Sequence, residues 1–497
     1  MRVTFVYPDV EGVQHYGTKK FYHGIGYLSA ILKKAGHQTS LIYLQAPPAR
    51  SAFLQELAAT NADVVAFSST THQHPYVEQC ARWIKDSAPE LKIVSGGTHP
   101  TLAIMQATQN PDLDVVCQGE AESSFLELIN RWEKGQDVSD VPNMHIRAGD
   151  RVIHNPMAPM VEDLDIFPFA DRELFDYEEI LRRNYGWVDM MAGRGCPYQC
   201  AYCAVPALQD TYKGVGKYVR YRSVQNVLDE IDSLVNTYNV RILNFQDDVF
   251  TLKHAWTREF AREYGKRFKH IPYWINTRVE RVNYEDIVVE LAQSGCRGIR
   301  VGLESGDEGL RRDVLKRKMT NEFIKETFDL FKKHGMETYT CNMLGLPGET
   351  PEQIEETIEF NRQLEPTQFQ FSVFFPYPMT ELHDISVGRG LYDGETVATY
   401  FGKQSTLQQP QLSQEQVDYY YDKFVELKHE LALKRKSPTR HKIYTWLRKN
   451  VYHDDTPRLR RHLNRLGAVR RSARRLVLGT VRRKPVVQEE VLFPTGG

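Results

Sequence analysis

The sequence predicts an α/β protein: an N-terminal doubly wound parallel sheet (Rossmann-like), then a partial (β/α)6 barrel, then a helical C-terminal region. Three observations carry this. Short apolar runs alternate with helix-length amphipathic segments over the first 135 residues, the pattern of a parallel sheet with helices on its faces. The alternation restarts near Trp187 and repeats six times over about 190 residues, two short of a closed eightfold barrel. And 497 residues exceed what one domain usually holds.

In the first series the apolar runs at 3–7, 39–43, 64–67, 93–95 and 115–117 read as buried strands, with helices at 25–34, 53–59, 75–86, 101–108 and 123–132. The strand ends, 7–12, 68–74, 96–100 and 119–122, are small and polar, as a ligand-facing rim of such a sheet requires. Residues 143–156 read as a hairpin turning at Ala148-Gly149-Asp150 and, with the prolines that follow, as a connection. Strands of the second series are expected at 188–192, 242–245, 273–277, 298–303, 337–343 and 369–375, and helices at 224–236, 256–268, 284–293, 321–334 and 351–363. The domain reading is 1–140, a linker at 141–185, a barrel at 186–380, and a helical region with a basic tail at 381–497.

Composition narrows the function. Hydrophobic residues make up 41% and charged residues 26%, ordinary for a globular chain with a large core. Mean hydropathy of -0.49 and the lack of any run of about 18 apolar residues argue against a membrane span. The start, MRVTFVYPD, reads as a strand and resembles neither a signal nor a transit peptide. Seven cysteines, an odd number, argue against a secreted disulfide framework and for a reduced, cytoplasmic setting. Net charge is -1, yet residues 434–484 hold 18 Lys and Arg against Asp454 and Asp455, a local +16 that leaves -17 on the rest. Leu459, Leu463, Leu466, Val469 and Leu476 recur near helical spacing among these arginines. A basic amphipathic helix of this kind suits peripheral contact with an anionic membrane, or packing on the acidic body, better than nucleic acid, which is not expected as a partner.

The chemistry-bearing cluster is Cys196, Cys200 and Cys203 in RGCPYQCAYC, directly after the first strand of the second series. Three thiolates on one loop suit three irons of a cubane, leaving the fourth iron open. A zinc site would need a fourth ligand and usually a paired half, and Cys80, Cys117, Cys296 and Cys341 are isolated. Asp247 and Asp248 end the second strand, where they could accept from an ammonium group or cap the next helix. Arg278 and Lys318 are candidates to orient a carboxylate, while Tyr273, Trp274, Cys296 and Cys341 read as core.

This segment resembles the radical S-adenosylmethionine (SAM) superfamily, through CxxxCxYC with Tyr202 at the aromatic position, FQDDVFT at 245–251, GLESG at 302–306 and GLPGET at 345–350. The resemblance covers roughly 186–380 and implies that Cys196, Cys200 and Cys203 hold a [4Fe-4S] cluster whose open iron chelates SAM. It implies SAM contacts by Tyr202, Asp247, Asp248, Glu304, Ser305, Leu346 and Gly348, and no catalytic residue beyond the cluster.

A doubly wound domain before such a core resembles the cobalamin-binding domain of the cobalamin-dependent members, including class B methyltransferases and the anaerobic magnesium-protoporphyrin ester cyclases. VSGGTHP at 94–100 and CQGEAE at 117–122 carry the likeness, which implies cobalamin contacts by Ser69, Thr70, Gly96, Gly97, Gly119 and Glu120, with Thr71 near them. The DxHxxG element is missing: PDVEGVQHYG has Asp9 and His15 at the wrong spacing, so no axial histidine is assigned, and His72, His74 and His99 are not named as cobalt ligands. The resemblance implies methylation of an unactivated carbon through a 5′-deoxyadenosyl radical, on a small-molecule substrate such as a lipid or tetrapyrrole. It also implies a reducing partner such as flavodoxin or ferredoxin. A cyclase or oxidase keeps the same cofactors, and an iron–sulfur electron-transfer protein would make no 5′-deoxyadenosine.

Overall fold

The computed structural model describes residues 1–10, 12, 17–394 and 402–451. His15 and the basic helix expected around 458–476 lie outside these residues.

The first sheet has seven strands in the order β2-β1-β3-β4-β5-β6-β7. Strands β1 (Arg2–Pro8), β2 (Gln38–Leu44), β3 (Val64–Ser68), β4 (Lys92–Gly96) and β5 (Val115–Cys117) run parallel, so their carboxyl ends share one edge. The order reverses between β1 and β3, the crevice where ligands settle in open α/β sheets. β6 (Met144–Ala148) and β7 (Arg151–His154) continue the sheet antiparallel beyond β5. The hairpin read as part of a linker is thus an edge of the first sheet, because its alternating apolar residues Met144 and Ile146 complete the core beside Val115 and Cys117. The helix expected at 101–108 is two short ones, Thr98–Leu102 and Ile104–Ala107, broken at Ala103.

The second sheet is wholly parallel, in the order β15-β14-β13-β12-β11-β8. Its strands are β8 (Trp187–Met190), β11 (Ile242–Phe245), β12 (Tyr273–Thr277), β13 (Cys296–Glu304), β14 (Glu337–Leu344) and β15 (Gln368–Val373). Each pairs with its neighbour in sequence, which makes a curled half-barrel. A two-strand ribbon, β9 (Gly193–Arg194) and β10 (Arg220–Tyr221), brackets the loop that carries the three cysteines. Helix starts follow local capping chemistry: Ser223 and Thr320 accept from backbone N–H groups one turn on, and Thr350 with Gln353 forms a capping box. Helix Gln414–Lys436 closes the far side, burying Val417, Phe424, Leu427 and Leu431 against Ile354, Ile358 and Phe369. No helix among the described residues is long and apolar enough to cross a membrane.

The two sheets are docked by charge and by rings. Buried Glu230 receives both Arg172 (3.3 Å) and Arg222 (2.5 Å), and the Arg172 guanidinium lies 4.3 Å from the Phe21 ring of the first unit. Asp171 takes Lys33 (2.7 Å) and the Ser29 hydroxyl (2.6 Å), so the connection is wedged between both units.

Candidate active site

The carboxyl ends of the two sheets face each other. His72, in the loop after β3, packs 4.7 Å from the Phe375 ring and 5.5 Å from Tyr377, both just after β15. Helix Thr98–Leu102 neighbours helix Val205–Thr211, which follows the cysteine loop. The cysteine loop therefore sits opposite the polar rim of the first sheet.

Cys196 and Cys200 are buried and Cys203 is partly so. Burial pushes the Cys196 thiol up to about 11 and the Cys203 thiol up to about 12. Two guanidinium groups reach Cys200: Arg278 donates to its Sγ at 3.2 Å and Arg317 at 3.7 Å. Both guanidinium groups set positive charge beside this sulfur. Among the described residues no three His, Cys, Asp or Glu side chains converge to hold a single ion. A cubane gives each thiolate its own iron and asks for no such convergence. Three thiols on one loop, faced by two arginines, fit a cluster of that kind.

Arg317 was missed by sequence reasoning, which considered Lys318 instead. Lys318 is exposed, while Arg317 is buried and donates to the Tyr202 hydroxyl (3.3 Å) and the Gly302 carbonyl. Only the turn at Leu310–Val314 decides which of the two basic neighbours points inward. Tyr202 in turn donates to Glu304 Oε1 (2.9 Å). Burial raises the Glu304 carboxyl, opposed by Arg317. Glu304 holds φ at +66°, and a Cβ on Gly302 would sit 2.1 Å from the present position of Glu304 Oε1. The end of β13 is thus locally strained to aim this carboxylate.

The two aspartates after β11 divide. Asp247 is buried and accepts from the backbone N–H groups of Ala192 (3.1 Å) and Gly193 (2.6 Å), fixing the entry to the cysteine loop. Burial pushes its carboxyl up to about 7 against those donors. Its oxygens are committed to the backbone, which argues against the expected SAM contact. Asp248 is accessible yet close enough to Cys196 and Cys203 for its charge to raise both thiols, as for a side chain lining an open cleft. Ser305 also departs from expectation. Its hydroxyl is fully buried, 3.3 Å from Thr357 Oγ1 and accepting from the Asp307 N–H, so it braces the helix Pro351–Leu364. The turn carrying Leu346 and Gly348 is pinned from below and from the C-terminal region. Glu349 accepts from the N–H groups of Gly345 (2.6 Å) and Leu346 (3.1 Å), and Gln409 accepts from that of Gly348 (2.7 Å). Gly345 and Gly348 have φ of +80° and +85°, the left-handed backbone this tight turn requires.

On the first sheet, the ends of β3 and β4 touch. Gly97 has φ +103°, and a Cβ there would meet the Ser69 N and O at 2.7 Å. Ser69 is buried, its hydroxyl 3.4 Å from His74 Nδ1, while Thr70 is exposed. Gly96 has only Cys117 Cβ nearby, at 3.5 Å. This glycine-lined surface fits the close approach of a bulky ligand. Gly119 and Glu120 do not face it. Gly119 lies under Tyr212, and Glu120 accepts from Arg220 at 3.0 Å and pairs with Arg194 at 3.3 Å, both in the β9–β10 ribbon. Glu120 joins the two units, and the expected cobalamin contact from it has no free oxygen to offer. Cys341, read as core, is half-buried on the inner face of the half-barrel.

Comparison with known proteins matches this geometry. Residues 190–360 match the radical SAM superfamily and residues 18–129 the B12 binding domain. An uncharacterized methyltransferase of Pyrococcus horikoshii is 24% identical over 79% of this chain and 84% of its own. The anaerobic magnesium-protoporphyrin IX monomethyl ester cyclase of Rubrivivax gelatinosus is 26% identical over 77% of this chain and 69% of its own. The radical SAM methyltransferase TsrM from Kitasatospora setae, solved with cobalamin and a [4Fe-4S] cluster bound, shares the fold with a TM-score of 0.65 at 18% identity, over 78% of each chain. The chain thus carries a B12 binding domain ahead of a radical SAM domain. It is an enzyme of that class.

Proposed function

We propose that this enzyme is a cobalamin-dependent radical SAM C-methyltransferase. One juxtaposition carries the reading: His72 after β3 packs on Phe375 and Tyr377 after β15, and the helix after β4 neighbours the helix that follows the three-cysteine loop. When bound, the cluster supplies the electron that cleaves SAM to a 5′-deoxyadenosyl radical and cobalamin carries the methyl group to the substrate. The chain's own residues bind and orient. Cys196, Cys200 and Cys203 are the proposed cluster ligands, with Arg278 and Arg317 balancing their charge at Cys200. Tyr202, Glu304, Asp248 and the turn at Leu346 and Gly348 are proposed to position SAM. Ser69, Thr70, Gly96 and Gly97 are proposed to line the cobalamin site. The proposed domain division keeps a cobalamin unit ahead of the barrel, with its boundary after β7. A membrane-associated substrate rests on the tail alone, outside the described residues.

The test is anaerobic purification from cobalamin-supplied cells, followed by metal and corrinoid content and SAM turnover with a chemical reductant. About one corrinoid per chain is expected, with both 5′-deoxyadenosine and S-adenosylhomocysteine formed, the second marking methyl transfer to cobalt. 5′-Deoxyadenosine without S-adenosylhomocysteine would move the assignment to cyclase-type oxidation, which the resemblance to the Rubrivivax enzyme favours as the second reading. Loss of corrinoid with SAM still cleaved would discard methylcobalamin chemistry.

A further inference from the structure

The half-barrel has two faces that alternate along each strand. Val188, Met190, Leu243, Phe245, Ile275, Ile299 and Val301 pack under the helices. Their neighbours Trp187, Ile242, Trp274 and Tyr339 form a separate buried cluster on the opposite, inner face. Gly298 is the space that admits Trp274, since a Cβ there would lie 2.4 Å from the indole. One pleat further along, the same inner face turns polar, with Asp189, Asn244, Asn276 and Arg300.

Arg300 is 8% exposed. Its Nη1 donates to Asn244 Oδ1 and to Asn276 Oδ1 (3.3 Å). Its guanidinium stands 5.2 Å from the Trp274 ring centroid and 5.7 Å from that of Tyr339. Its Nε and Nη2 meet no acceptor among the described residues. No carboxylate of the described residues lies within the 4.0 Å of an ion pair with it. Asp189 acts on it only at longer range, and its Oδ1 accepts from Asn244 (2.6 Å) and Gln246 (2.9 Å). A guanidinium taken from water without a counter-ion is costly, and three outward N–H donors in a planar fork match a carboxylate or phosphate.

We propose that the lumen binds substrate through an anionic oxygen group, carboxylate or phosphate, seated on Nε and Nη2 of Arg300. Arg300 pairs with Tyr339 and, past an irregularity after Gly302, Glu304 pairs with Asn342, three residues on along β14, which sets the anchor roughly 10 Å below the cysteine-loop end of the lumen at about 3.3 Å per residue. The substrate carbon to be modified then lies about that far from its anion. This rests on the proposed function, a radical SAM reaction beside the three-cysteine loop.

The test uses holoenzyme with saturating SAM, so that Arg278 and Arg317 are covered, and reads binding by saturation-transfer NMR. The probes are two matched pairs, benzoate against benzamide and phenyl phosphate against phenol. At least one anion is expected to bind about tenfold or more tightly than its neutral partner, and the pair that shows it assigns carboxylate or phosphate. Arg300→Gln should abolish that preference and Arg300→Lys keep part of it. Asn276→Asp, nearly isosteric, sets a carboxylate beside Nη1 and should abolish it too, which decides the matter if Arg300→Gln does not fold. No anion preference in the wild type, or its retention in both charge-cancelling variants with cluster and corrinoid intact, overturns the proposal. SAM cleavage without substrate is measured alongside in the wild type. Its absence would count against the radical SAM reading, while the anion preference is read independently of it.

Discussion

His74 and His99 show how a residue's surroundings set its chemistry. Their rings lie 4.1 Å apart between centroids, tilted by 33°, beneath the β3 and β4 ends, and both are nearly inaccessible. Burial lowers His74 to about 3, with His99 adding repulsion, and lowers His99 to about 4. Both are therefore neutral in the folded state at pH 7, while in the unfolded chain they take up protons near the usual value of about 6.5. The stability that depends on their neutrality is complete above that value and is lost as pH falls toward the folded values. By pH 5 each histidine contributes a loss of up to about 2 kcal/mol. Thermal melting of the cofactor-free protein at pH 7.5 and pH 5 checks this. The fall in Tm should be smaller by a few degrees in the His74→Gln, His99→Gln double variant, and an equal fall would show that the pair does not titrate in this way. The same scale explains why the site was only partly legible. The residue types at Asp247 and Asp248 are identical, and only the approach of the Ala192 and Gly193 amides divides a loop anchor from a cleft-facing carboxylate.

Among the elements, the contact between the β3 and β4 ends makes a sharp prediction. Gly97→Ala forces a side chain into a backbone at φ +103° and against Ser69 N and O at 2.7 Å, whereas Gly96→Ala meets nothing closer than 3.5 Å. Gly97→Ala should cost more than about 1 kcal/mol and lower corrinoid content, with Gly96→Ala close to wild type in Tm. Equal behaviour of the two variants would remove Gly97 from the proposed cradle. Strands and helices were legible because burial imposes a period of two or 3.6 on the sequence. The expected β11 and β12 coincide with the observed Ile242–Phe245 and Tyr273–Thr277. The β6–β7 hairpin was legible as a hairpin, but its place on the sheet was not. Pairing beyond β5 is a long-range choice that local alternation does not encode.

Across the whole molecule, docking of the two units is what assembles the cleft. Glu120 and Glu122 after β5 receive Arg194 and Arg220 of the ribbon that flanks the cysteine loop, with Arg220 only 3% exposed. Glu120→Ala would leave Arg220 buried with fewer acceptors, a loss of about 2–4 kcal/mol. The expected result is a lower urea midpoint and faster proteolysis between the units. A midpoint equal to wild type would show that the aromatic contacts alone hold the docking.

The sequence by itself determined the two α/β series, the cysteine triplet and the SAM-type motifs, because each is written in local periodicity or in spacing along one loop. The tertiary structure decided which motif residues face the cleft. It turned Ser305 and Asp247 toward the scaffold, gave Glu120 to the interface, chose Arg317 over Lys318, and buried Arg300 with no ion-pair partner among the described residues. The physical reason is that a polar side chain's partner comes from whichever backbone or charge packs against it, and those partners lie from about 50 to more than 100 residues away in the chain.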